Sequence, residues 1–173
     1  MNDFILDSGA ISGAITDVES ERAAVHAEMC YEAIRKSKTD IENIVRNTNF
    51  TKEQISMVKN YVFFDEHELE GGYQRFAPDF CMAQSWRRLA FEPNNIQEHD
   101  LILIKHELCE MVLMANGTPY RQAHEIANER GYDYHKMSKE FYEALERKQK
   151  NMNCYFHADR IGVTQCKKCK RVL

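Results

Sequence analysis

A chain of 173 residues with 43% hydrophobic and 29% charged residues has the balance of one soluble domain with room for a small appendage. That length buries a core without disulfide staples. The net charge of −4 gives no bulk attraction for nucleic acid and leaves only a local basic patch for such a role. The longest wholly aliphatic run, residues 101–104, is far short of the roughly 20 residues a membrane span needs, so no membrane association is expected. The N-terminus, MNDFILD, lacks the basic and apolar regions of a secretory signal, and a cytoplasmic setting is the expectation. There the six cysteines are thiols or metal ligands rather than disulfides.

Residues 1–18 are small, carry no helical stripe and read as an arm that Phe4, Ile5, Ile11 and Ile15 dock onto the body. Residues 19–37 space Ala23, Ala27, Tyr31 and Ile34 as a helix does. Thr39 and Glu42, then Thr51 and Gln54, are two capping boxes that open two short helices around a polar turn at 47–49. The second of these helices turns Ile55, Val58, Tyr61 and Val62 inward. Gly71 and Gly72 mark a loop over 65–77, with room for a short hairpin at 72–76. Asp79 caps a helix over 79–90 that packs Trp86 and Leu89 and leaves Arg87 and Arg88 partly outward.

The most apolar stretch follows, NIQEHDLILIKHELCEMVLMANG at 95–117. Asn95 and Glu98 form its capping box, and Gly117 closes it. Aliphatic residues occupy nearly every face, which predicts a long, central, buried helix. It also carries His106, Glu107 and Glu110, and such groups are costly inside a core unless paired, protonated or bound to metal. Thr118 and Pro119 start a further helix that stops at Gly131. A last helix, over about 133–149, ends in a charged run at 146–150 that reads as a tail or linker.

Two sets of metal ligands stand out. Cys154-x2-His157 and, after eight residues, Cys166-x2-Cys169 supply three thiolates and one imidazole, the set of a closed structural zinc site. The segment resembles the start of B-box-type zinc fingers, and Asp159, Arg160 and Val163 match that pattern as well. The second ligand group of a full B-box is not present. Lys167, Lys168, Lys170 and Arg171 make the knuckle basic, suited to an acidic protein or a nucleic-acid backbone.

On the long helix, His106 and Glu110 lie four apart and share a face. The string HExxE resembles the HExxH helix of zincin peptidases, with Glu in place of the second His. That resemblance implies His106 as a zinc ligand and Glu107 as the base on the bound water. An antiparallel return through 116–119 would bring His124 level with about Glu110 or Met111, so His106, Glu110 and His124 form a second candidate zinc site. The competing reading is a buried polar network that fixes how two helices pack. A third constellation, His67 and Arg75 with Arg87 and Arg88, has the residue types of a metal-free ribonuclease, or of solvated loop charges.

Most of the chain, from about residue 10 to 145, resembles a toxin-like C-terminal domain of phage minor-head (head morphogenesis) proteins. The resemblance rests on NTNFTKEQI at 47–55, FFDEHEL at 63–69, RFAPDF at 75–80, AQSWRRL at 83–89 and the long helix itself. It implies a phage- or toxin-related protein. The expected architecture is therefore mainly α: an arm at 1–18, a helical domain at 19–150 with the long buried helix, and a zinc knuckle at 151–173. The expected function is a metal-dependent hydrolase with zinc as cofactor. A metal-independent ribonuclease using His67, Arg75 and His106, or a zinc adapter that recruits a protein or nucleic-acid partner, are the alternatives.

Overall fold

The computed structural model describes residue 15 and residues 17–161, with side chains through residue 148. These residues fold into seven α-helices and one two-stranded hairpin, a mainly α architecture. Helix α1, Glu21–Lys36, is capped by Ser20 and buries Ala23, Ala27, Cys30, Tyr31 and Ile34 along one stripe. Helices α2, Asp40–Asn47, and α3, Lys52–Phe63, form a helical hairpin. At α3 the expected capping box is present, with Gln54 N donating to Thr51 Oγ1 and Thr51 N to Gln54 Oε1. At α2 it is not. Thr39 makes no capping bond, and Ser37 Oγ accepts from Asp40 N instead.

Strands β1, His67–Leu69, and β2, Gly72–Gln74, pair antiparallel with Leu69 opposite Gly72. Gly72 has φ 105°, which only glycine adopts freely, so the tight turn sits where the double glycine falls. Helix α4, Phe80–Phe91, starts on an Asp79 cap. A 3-10 turn at Pro93–Asn95 absorbs the expected Asn95 cap, and the next helix begins later. Helix α5, Glu98–Ala115, has Asp100 Oδ2 accepting from Gln97 N. Helix α6, Tyr120–Ala127, a π-helical turn at Asn128–Tyr132 and helix α7, Tyr134–Ile161, complete the described chain. Among the described residues no helix is long and apolar enough to cross a membrane.

The main core lies between α1, α2, α3, α4 and α5, around Trp86, Phe63, Tyr31, Ile34, Ile55 and Leu103. Phe63 meets Tyr31 and Trp86 edge-on at 4.7 and 5.1 Å. Burying each such side chain is worth roughly 1.5–3 kcal/mol. A smaller cluster, Ala23, Ala27, Phe80, Cys81 and Tyr142, seats α7 on α1 and α4.

Two buried ion pairs brace this core. Lys59 Nζ donates to Asp40 Oδ1 at 2.8 Å, and Trp86 Nε1 donates to Asp40 Oδ2 at 2.9 Å. Arg88 is buried rather than outward. Its guanidinium forks onto Asp100 at 2.8 and 2.6 Å and also reaches Tyr142, Ser85 and His99. The fork supplies the counter-charge that makes a buried arginine tolerable.

Helix α5 also departs from expectation. Its buried residues are His99, Asp100, Leu103, Ile104, His106, Glu107 and Glu110, while Val112 is 55% exposed. The ionisable residues occupy the inward stripe, and several aliphatic ones sit on its flanks. Helix α7 runs on through the charged stretch expected to be a linker, helped by a sequence with no Gly or Pro between 134 and 161. Cys154 and His157 therefore stand on helical backbone, their side chains outside the described residues. Cys166 and Cys169 also lie outside the described residues.

Candidate metal centre

The turn between α5 and α6 sets the site. Gly117, at φ 86°, lets the chain reverse, with Gly117 N donating to Met114 O and Thr118 N to Leu113 O. Helix α6 then returns along α5. Glu110 and His124 lie equally far in sequence from Gly117, and the return brings them side by side.

Three atoms converge there. His124 Nδ1 lies 3.0 Å from His106 Nε2 and 3.0 Å from Glu110 Oε2. His106 Nε2 lies 3.4 Å from Glu110 Oε2. In tetrahedral zinc coordination with bonds of about 2.0–2.1 Å, neighbouring ligand atoms are about 3.3 Å apart. A point about 2 Å from all three atoms exists, about 1 Å above their plane. These residues could hold a metal ion, and they are the one such His/Cys/Asp/Glu group among the described residues.

The neighbours decide which atoms are free to ligate. His106 Nδ1 lies 2.9 Å from the Tyr132 carbonyl. A carbonyl only accepts, so Nδ1 carries a proton, and Nε2 is the ring nitrogen that faces the cluster. Such an outer hydrogen bond is the usual way a ligating histidine is oriented. Tyr61 Oη donates to Glu110 Oε1 at 2.8 Å, which leaves Oε2 for the cluster. Tyr134 stands edge-on to the His106 ring at 5.1 Å. Without a metal these contacts are hydrogen bonds, in which a ring N–H donates to Glu110 Oε2 or to the neighbouring imidazole nitrogen; with a metal the same atoms would be its ligands.

Electrostatics agree with a cation site. Burial pushes the Glu110 carboxyl up, but hydrogen bonds from His106, His124 and Tyr61 outweigh it and hold the group down at about 2. Glu110 is thus a carboxylate at any ordinary pH. Glu107, on the adjacent stripe of α5, behaves oppositely. Burial, then the charges of Glu110 and Asp79, raise its carboxyl well above the usual range. Burial and the same two glutamates raise the Tyr120 phenol to about 12. Access is one-sided: the side chains of His106 and Glu110 are 1% and 3% exposed, and that of His124 is 26% exposed.

The structure therefore brings together His106, Glu110 and His124, with Glu107 buried nearby and outside the ligand set. His99 does not join them. It sits in the Arg88–Asp100 cluster, its Nε2 2.9 Å from Arg88 Nη2. His67 Nε2 donates to the Tyr61 carbonyl at 2.7 Å, and its ring stacks on Phe76 at 4.4 Å. Arg75 is exposed, with Nε on the Phe64 carbonyl at 3.0 Å. His26, on α1, hydrogen-bonds Gln84. Sequence reasoning missed Tyr61, which it placed only as a core residue, and the Tyr132 carbonyl, which no side-chain pattern signals.

The fold and the cluster define a mainly helical protein with a buried two-histidine, one-glutamate centre that could hold a metal ion. Comparison with family models, with curated proteins and with solved structures finds no match for the chain.

Proposed function

We propose that this protein is a zinc-dependent hydrolase, with His106 Nε2, Glu110 Oε2 and His124 Nδ1 as the ligands and one coordination position open. The observation that carries this reading is the convergence of those three atoms at zinc-ligand spacing, with the His106 tautomer set by the Tyr132 carbonyl. Two imidazoles and one carboxylate are a catalytic rather than a closed structural set. A divalent ion held there would supply Lewis acidity toward a water and a substrate carbonyl. Glu107, buried beside the ligands, would be the base that takes a proton from the attacking water and returns it to the leaving group as the bond to that group breaks. The same divalent charge would offset the repulsion from Glu110 that keeps Glu107 protonated without metal.

The helical surroundings differ from the sheet-flanked helix of zincin peptidases, so the peptidase likeness is confined to the string at 106–110. His67 and Arg75, which a metal-free ribonuclease would draw on, have Nε2 and Nε on the Tyr61 and Phe64 carbonyls. A second, structural zinc on Cys154, His157, Cys166 and Cys169 is part of the proposal, as is recruitment of an acidic partner by its basic knuckle.

Elemental analysis of the purified full chain tests the reading. About two zinc ions per chain are expected. Cys166→Ser should lose one and His124→Ala the other, with ester or peptide hydrolysis lost only in the second. Unchanged metal content in both His106→Ala and His124→Ala would overturn it.

A further inference from the structure

Aromatic rings flank the exposed side of the centre. Of the three cluster residues only His124 reaches the surface, so a substrate atom must arrive past it. The His124 ring is flanked by Tyr120 at 6.0 Å and by His135 at 5.6 Å. Beyond Tyr120, at 5.4 Å, stands Phe76, two residues past the end of β2. Both rings are half-buried and keep part of their surface open.

This wall is held firmly and is tied to the ligands. Phe76 stacks on His67 at 4.4 Å and meets Tyr61 edge-on at 5.5 Å. Tyr61 is the residue that hydrogen-bonds Glu110. Beside His124 the exposed side of the centre thus offers the ring faces of Tyr120 and Phe76.

We propose that Phe76 and Tyr120 form a binding wall for an uncharged aromatic group beside the reacting carbonyl, so that the centre prefers aromatic acyl substrates. The inference rests on the metal reading of His106, Glu110 and His124 and names what that centre selects. Planar groups gain from offset or edge contact with such rings beyond their area, worth about 3- to 10-fold in affinity for one good pair.

Two small chelators test it without turnover. The full chain is loaded with cobalt(II), whose visible bands report ligands entering the open position. Benzohydroxamate and acetohydroxamate, which share one metal-binding group and differ in phenyl against methyl, are then titrated. The wild type should bind benzohydroxamate about 10-fold tighter. Phe76→Leu and, separately, Tyr120→Leu should cut that preference to about 3-fold or less while acetohydroxamate affinity and cobalt content stay unchanged. Far-UV circular dichroism and cobalt content confirm that each variant is folded and loaded. Equal affinity for the two chelators in the wild type overturns the aromatic wall and leaves the metal centre standing. So does a preference that neither variant reduces. A chain that takes up no cobalt at the cluster overturns the metal reading and this inference with it.

Discussion

Glu110→Gln in metal-free protein isolates what the carboxylate does for the fold. The side chain accepts from Tyr61 at 2.8 Å and lies 3.0 and 3.4 Å from the two imidazole nitrogens. Its value of about 2, against an ordinary 4.5, means the folded surroundings favour the ionised form. At about 1.4 kcal/mol per unit, that preference is worth about 3 kcal/mol. The folded value lies below the unfolded one, so the contribution is complete above about pH 5 and is lost as pH falls toward 2. Glutamine keeps the shape and one acceptor for Tyr61, so the variant should lose about 2 kcal/mol at pH 7. About 2 kcal/mol of the gap between wild type and variant should then disappear between pH 6 and pH 3. Urea unfolding in EDTA, followed by far-UV circular dichroism at pH 7, 5 and 3, measures this directly. A gap that stays flat with pH, or a variant as stable as wild type at pH 7, refutes the reasoning. With zinc restored at about 100 times its dissociation constant, wild type should gain about 2.7 kcal/mol and the variant much less.

Glu107→Gln should act in the opposite sense. The folded carboxyl lies above its unfolded value, so any contribution it makes is present below about pH 4.5 and is lost as pH rises. The metal-free variant should therefore be more stable than wild type at pH 8, while hydrolysis by the zinc form drops at least about 100-fold. A variant that is no more stable at pH 8 would show that Glu107 is not held against its charge. Asp100→Asn leaves the buried Arg88 guanidinium without its counter-charge and should cost about 3–5 kcal/mol in urea unfolding, with zinc content per folded chain unchanged. Asp40→Asn does the same to Lys59 and weakens the bond from Trp86, at a similar cost; a loss below about 1 kcal/mol would mean that Lys59 finds water instead.

The parts of the centre that were legible in the sequence are those that follow from one element at a time. Spacing of four on a helix puts His106 and Glu110 on one face. The punctuation of Gly117 and Pro119 announces a reversal whose midpoint places His124 opposite Glu110. Hydropathy misled where it was used alone. It makes Arg88 a surface residue and α5 an aliphatic rod, because it scores each position against water and not against a partner. Arg88 is inside because Asp100, twelve residues on, gives it a two-pronged acceptor, and Asp100 is inside for the same reason. Along α5 two inward stripes competed, one aliphatic and one ionisable. The ionisable one is buried because Tyr61 from α3, His124 from α6 and the Tyr132 carbonyl before α7 satisfy it. Those partners lie 49, 14 and 26 residues from the groups they serve. One is a backbone oxygen whose position follows the left-handed Gly131 beside it, at φ 89°. Burial of charge is a property of sets, and no single-position score contains it. A packing network needs only that every donor meet an acceptor, and the contacts of His106, His124 and Tyr61 with Glu110 meet that need as well, so metal content and not the contact pattern separates the two readings.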